Sequence, residues 1–240
     1  MKWNSLSTHI TTQVYYLTIN KHCLLCEAPS KNAICEFCLP YISFNKSHCK
    51  CCARPTKTHL VLCGDCQKNH KNLRAQKIIA PLQYEDLTSY IIKAIKFQQH
   101  THFLRALIPY LVNALEMHYQ NTPWPKEIIP LPSHATRIKQ RGFCHTRLMA
   151  NFIRHDLSQK ININSNSLIK NTYTAAQHTL NKKDRLTAQK NTFQVINKVA
   201  KHVALIDDVI TTGSTIDACT TTLFKHGVER IDVWSLARTP

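Results

Sequence analysis

Glycine is scarce in this chain, with 4 among 240 residues. Gly64 lies inside a Cys knuckle, Gly142 follows Arg141, Gly213 interrupts a Thr-rich run, and Gly227 ends a helix-like stretch. A sequence that uses so few places them where the backbone needs freedom. Acidic residues are also few: 14 Asp and Glu against 31 Lys and Arg leave a formal net charge of +17. Such a surface attracts polyanions over a distance, nucleic acid being the usual one. No run approaches the ~18 apolar residues of a membrane span, so no membrane insertion is expected. The stretch Met1–Ile19 is broken by Asn, Ser, Thr, His and Gln and lacks the apolar core of a secretory signal. These absences predict a cytoplasmic protein. Gly-Lys-Ser/Thr is missing, which excludes a Walker P-loop, and no Gly-x-Gly-x-x-Gly supports a dinucleotide fold.

Cysteine is abundant, but only locally. Nine of the 11 fall between Cys23 and Cys66. They include four pairs: Cys23 with Cys26, Cys35 with Cys38, Cys49 with Cys52, and Cys63 with Cys66, each separated by two residues. That gap lets both thiolates of a knuckle face one tetrahedral ion, and two knuckles complete a four-thiolate site. Two structural Zn2+ ions are expected, held by 23/26/35/38 and 49/52/63/66 as sequential ribbons or by an interleaved cross-brace. A redox Cys-x-x-Cys would need one motif near a βαβ unit, and a catalytic zinc would keep one position open. In a reducing compartment dense Cys means metal before disulfide. The drop in Cys content and the basic stretch Lys68–Arg74 divide the chain into a zinc-binding module over 1–74 and an α/β domain over 75–240.

Past the joint, patterns alternate as strands and helices. Lys77–Tyr84, Glu127–Leu131, Ser167–Lys170, His202–Asp207 and Arg230–Ala237 are predicted strands. Helical spacing of apolar residues marks the segments from Leu87, from Leu104, about Thr146–Leu157, and Thr215–His226. The most informative segment is Val203–Thr215. An apolar run suits a parallel strand buried on both faces, and Asp207 and Asp208 follow at its C-terminal end, where α/β sheets hold ligands. Their expected role is to accept hydrogen bonds from ribose 2- and 3-hydroxyls. Thr211, Thr212, Gly213, Ser214 and Thr215 then offer hydroxyls and backbone N–H groups at a helix N-terminus, a cradle for a 5-phosphate.

This segment resembles the signature of type I phosphoribosyltransferases. With Ile95-Lys96-Phe97, Pro130–Ser133, Arg141-Gly-Phe143, Gln177, Arg185, Asn191 and the closing Trp234–Arg238, the chain resembles the ComF family from about Cys23 to Thr239. The family usually continues Arg-Gly-Phe with Asn-Gln, where this chain has Cys144-His145. The resemblance implies a type I phosphoribosyltransferase-like parallel sheet flanked by helices, behind a Cys-rich zinc-ribbon module. Its implied ligand is phosphoribosyl diphosphate (PRPP) with Mg2+, held by Asp207, Asp208, Val209 and Thr211–Thr215, with Arg137 and Arg141 on the diphosphate. The segment Thr172–Arg185 would be a loop over the site. The implied function is competence: handling of single-stranded DNA in natural transformation, with a competence helicase or recombination proteins as partners. The alternative is an active transferase using a nucleobase or other small acceptor, with Asp207 and Asp208 as catalytic residues. Aromatic residues for base stacking are few (Phe97, Phe143, Tyr173), so affinity for DNA should rest on charge.

Overall fold

The computed structural model describes residues 22–68, 75, 77–133, 136, 138, 139, 142–170 and 192–240. The chain divides into two units, Met1–Ile42 and Ser43–Pro240. The joint expected at 68–74 lies, apart from Lys68, outside the described residues. In the first unit Cys23 N donates to Ala28 O at 2.8 Å and Leu24 N to Ala33 O at 2.9 Å. These bonds turn the chain back so that the two knuckles approach, and a 3-10 turn covers Leu39–Tyr41.

The larger unit begins with the second Cys group, whose last knuckle opens helix α1, Gly64–Lys68. Strands β1 (Lys77–Ile79) and β2 (Leu82–Gln83) follow, then helices α2 (Asp86–Phe97) and α3 (Leu104–Tyr119). Next come β3 (Glu127–Pro130), α4 (His145–Asp156) and the short strands β4 (Asn162–Ile163), β5 (Leu168–Lys170) and β6 (Phe193–Val195). Strand β7 (His202–Ile210), helix α5 (Ser214–Lys225) and strand β8 (Arg230–Arg238) complete the unit. The main sheet is parallel, in the order β1-β8-β7-β3-β4, with β2 also pairing β8. Strands β5 and β6 form a separate antiparallel pair.

The predicted strand over Lys77–Tyr84 is two strands on one register. Lys77 pairs with Asp232 and Leu82 with Ala237, an unchanged offset, but Pro81 cannot donate to the ladder and interrupts it. Strand β7 extends beyond the predicted Asp207 to Ile210, because β8 stays beside it to Arg238.

Period-two alternation assigns the faces of β7. Val203 and Leu205, with Val233 of β8, pack against Ile216, Cys219 and Leu223 of α5. The opposite face meets α4, and α3 lies on β8 and α4. There Tyr119 donates to Asp232 Oδ2 at 2.7 Å and receives a bond from Trp234 Nε1 at 3.1 Å. His202 Nε2 and Arg230 Nη2 reach the same Asp232 oxygen at 2.9 and 3.2 Å. A fully buried carboxylate is tolerable only with such a set of partners. Asp232→Ala is expected to cost about 3–5 kcal/mol in a denaturant melt, since it leaves a guanidinium, an imidazole and a phenol without their acceptor.

Candidate functional site

The alternation that builds the core also separates the two carboxylates. Asp208 shares its side of β7 with Ala204 and Ile206 and so faces α2 and α4, whereas Asp207 faces α5. Both line an open cavity of about 590 Å3 at the C-terminal end of the sheet, with Lys96, Ser133, His145, Lys170, Thr211 and Thr215 among its walls.

Asp208 is buried, and both its oxygens have cationic or polar partners. Lys96 Nζ lies 2.9 Å from Oδ1 and His145 Nε2 3.0 Å from Oδ2, and Val209 N donates to Oδ1 at 2.7 Å. Burial opposes its charge, but His145 and Lys96 outweigh burial and hold the carboxyl well below the usual range. Asp207 has the reverse environment. Burial, then the adjacent Asp208 charge, push its carboxyl up to about 8, against partial relief from Lys96 and the Asp208 N–H at 2.9 Å. Two adjacent carboxylates thus differ in charge state at neutral pH, one ionised and pinned, the other protonated and facing the cavity.

The cradle follows. Gly213 has φ +82°, a left-handed conformation that L side chains adopt at a cost. It turns the chain from β7 into α5, with Asp217 N bonded to Gly213 O at 2.9 Å. Thr211, Thr212, Ser214 and Thr215 are exposed, and Thr212 Oγ1 lies 3.0 Å from Ser214 Oγ. Hydroxyls and the first N–H groups of α5 therefore lie together beside the carboxylates, with Ser214 N donating to Thr212 Oγ1 at 3.4 Å, and a helix N-terminus of this kind attracts phosphate. Arg238, 2% exposed, braces the loop from behind. Its Nη1 donates to the carbonyls of Ile210 (2.9 Å) and Thr211, and its Nε to Cys52 O at 3.1 Å.

No family model matches this chain. Competence protein F of Haemophilus influenzae is 32% identical over 230 residues, which cover 91% of this chain and 97% of that protein. This chain belongs to the competence protein F family. The DNA utilization protein YhgH of Escherichia coli O157:H7 is 30% identical over 233 residues, covering 93% of this chain and 99% of the relative. Among solved structures, a hypoxanthine-guanine phosphoribosyltransferase from Bacillus anthracis overlays 58% of this chain and 71% of that chain, at TM-score 0.38 and 11% identity. The competence protein F family, not that overlay, ties this chain to known proteins.

In this member of the competence protein F family the cysteines separate into sequential groups. Cys23, Cys26, Cys35 and Cys38 form one, and Cys49, Cys52, Cys63 and Cys66 the other, all Sγ atoms of a group within 4.8 Å of one another. Sulfur pairs stand at 3.6 Å (Cys26–Cys35, Cys52–Cys63) and 4.0 Å (Cys49–Cys66). A tetrahedron with Zn–S bonds of about 2.3 Å has edges of about 3.8 Å, so both groups fit Zn2+. Backbone N–H groups favour the thiolate form: Cys35 N and Leu25 N approach Cys23 Sγ at 3.3 and 3.4 Å, and Cys63 N approaches Cys49 Sγ at 3.2 Å. Burial opposes ionisation of both, yet these bonds lower Cys23 to about 6 and Cys49 to about 7. Cys51 stands outside both groups.

Of the site residues expected from sequence, Asp207, Asp208, Val209, Thr211 and Thr215 line the cavity, and Thr212, Gly213 and Ser214 belong to the same turn. Arg137 and Arg141, with Gln177, Arg185, Asn191 and the loop Thr172–Arg185, lie outside the described residues. Sequence reasoning assigned no role to His145, Lys96 or Lys170. Lys96 stood in a quoted motif, and His145 appeared only as a departure from Asn-Gln; a charged residue on an otherwise apolar helix face was the available signal. Cys144 starts α4, with its Sγ 3.2 Å from Thr146 Oγ1 and 3.8 Å from Ser133 Oγ, so it is tied to the Pro130–Ser133 segment.

Proposed function

We propose that this chain binds PRPP in the cavity beneath Asp207 and handles single-stranded DNA in the cytoplasm during natural transformation. The observation that carries the ligand reading is the juxtaposition of a cavity-facing Asp207 with the hydroxyl-rich turn into α5. Asp207 would take the ribose hydroxyls and the turn the 5-phosphate. Asp208 would hold Lys96 and His145 at the cavity wall, leaving Lys96 and Lys170, with Arg137 and Arg141, as cationic neighbours for a diphosphate. Mg2+ needs only one or two carboxylates when a ligand brings phosphate oxygens. Asp207, Asp208 and His145 offer ligand atoms within 4.8 Å of one another, and Asp207 is the member not already paired with a cation. The ion would supply neutralisation of diphosphate charge.

Were a transfer to occur, the C1–O bond to diphosphate would break, and the chain's contribution would be positioning and electrostatics. Turnover of PRPP against a panel of nucleobases tests that alternative. Diphosphate release with any base would move the assignment from binding protein to transferase.

Charge supports the DNA reading. With about four to six phosphates neutralised, log affinity for single strands should fall with log salt at a slope of roughly −3 to −4. Lys182, Lys183 and Lys190, which lie outside the described residues, fall in one basic run of the sequence. Their replacement by Glu should weaken all sequences alike, because phosphate contacts carry no base information. A fluorescence titration at several salt concentrations measures both; a slope near zero contradicts the electrostatic account. No helix among the described residues is long and apolar enough to cross a membrane.

A further inference from the structure

Helix α2 holds the core with Ile91, Ile92, Ala94 and Ile95, none more than 3% exposed. Its opposite face presents Tyr90, Lys93 and Phe97, all exposed. Spacings of three and four residues put these side chains in one line along the helix. Tyr90 is 56% and Phe97 69% exposed. Phenylalanine is among the residue types most often buried, so two large rings held in water two turns apart, with a lysine between them, are more than scattered surface apolars. Charge along the helix is ordered too. Its acidic residues, Glu85 at the cap and Asp86 in the first turn, stand at the N-terminal end, and beyond them the charged residues are Lys93 and Lys96. The stripe ends at the ligand cavity, whose walls include Phe97, Tyr84, Lys96 and Lys170. PRPP has phosphates and hydroxyls for the turn, the carboxylates and the lysines, but no flat apolar part for the two rings.

We propose that the exposed face of α2 is a track for single-stranded DNA that ends at the mouth of the PRPP cavity. One base stacks on Tyr90 and another on Phe97, about 10 Å apart along the helix, and Lys93 meets the phosphate backbone between them. Aromatic platforms interleaved with cations are what a single strand requires, since every base has a flat face and every linkage a charge. A strand is favoured as the occupant because the chain carries a net charge of +17 and the stripe leads to two further cations. The proposal rests on the DNA-handling reading and deepens it by giving the strand a place. It also alters one expectation from sequence: Phe97 was a stacking candidate in isolation, whereas its helical alignment with Tyr90 makes a pair, so affinity rests on stacking as well as on charge.

The test compares two probes on the full chain, a short oligothymidylate and an abasic oligonucleotide of the same length, which keeps every phosphate and lacks only the bases. Wild type is expected to bind the oligothymidylate about a hundredfold more tightly, about tenfold for each stacked base. Tyr90→Ala should reduce that ratio to about tenfold, Tyr90→Phe should preserve it, and Tyr90→Ala with Phe97→Ala should bring it near one. Lys93→Gln should weaken both strands alike and make the salt slope shallower by about 0.7. Neither Tyr90 nor Lys93 lines the ligand cavity, so Tyr90→Ala and Lys93→Gln should keep the thermal shift given by PRPP, which also shows that they are folded. Equal affinity of wild type for the two strands overturns the track while leaving DNA handling by charge in place. A base preference that survives the double substitution, or that Tyr90→Phe abolishes, overturns it as well. Failure of wild type to bind either strand removes the DNA-handling reading itself, and the track with it.

Discussion

Stripping zinc from the second tetracysteine group is expected to abolish PRPP binding, although no cysteine of that group lines the ligand cavity. The connection is Arg238. Its guanidinium joins Cys52 O to the carbonyls of Ile210 and Thr211, where the hydroxyl-rich turn into α5 begins. The group Cys49, Cys52, Cys63 and Cys66 has little apolar material around it beyond Leu62 and Cys51, so metal must supply most of its folding free energy, about 10–16 kcal/mol for sites of this kind. With the knuckle unfolded, Arg238 loses one anchor and becomes a buried cation short of acceptors. Elemental analysis should give two zinc ions per chain, and Cys52→Ser should lose one of them together with the PRPP-induced thermal shift. Chelated, metal-free protein that keeps its full melting temperature and PRPP affinity would contradict this.

Neighbouring substitutions at the carboxylates should change stability in opposite directions. Asp208→Asn removes the acceptor of Lys96 and His145 and should cost about 3–5 kcal/mol, the usual penalty for breaking a buried pair. Asp208 is depressed in the folded state, so its contribution is present above the ordinary carboxylate range and is lost as pH falls through its folded pKa. Asp207 has the opposite sign. Raised to about 8 by burial and by Asp208, it stays protonated when the unfolded chain has ionised, and it costs stability progressively as pH rises from about 4 to about 8. Asp207→Asn should therefore stabilise the ligand-free protein at pH 8 by about 1–3 kcal/mol, with a gain that shrinks toward pH 4. At about 2–4 °C per kcal/mol for a chain near this size, calorimetry at two pH values resolves both effects. Destabilisation by both substitutions at pH 8 would show that Asp207 is ionised and paired.

The parts of the fold written in local pattern were legible. The apolar run Val203–Ile206, the carboxylates after it and the Thr-rich turn identified β7, the turn that follows it and α5, because one continuous segment carries all three. The Cys pairs identified two four-thiolate groups, and the structure chooses the sequential arrangement over the interleaved one. Strands β4 and β6, of two and three residues, are too short for any period to register. The partners of Asp208 were hidden for another reason. Lys96 and His145 lie far away in sequence and meet it only because α2 and α4 pack on the same side of β7. The period of two in β7 places Asp208 on the face opposite Asp207, and that half was readable; which helices cover that face was not. Arg238 and Asn45 act through carbonyls of distant segments, and bonds to backbone leave no trace in side-chain pattern.

Titration calorimetry of PRPP with Mg2+ into wild type and Asp207→Ala tests the central claim most directly. Wild type should bind, and Asp207→Ala should lose about three- to tenfold in affinity, the equivalent of one hydrogen bond between uncharged groups of about 0.5–1.5 kcal/mol, while melting no lower than wild type. No binding to wild type, or unchanged affinity in the folded variant, would contradict the placement of the ligand beside Asp207.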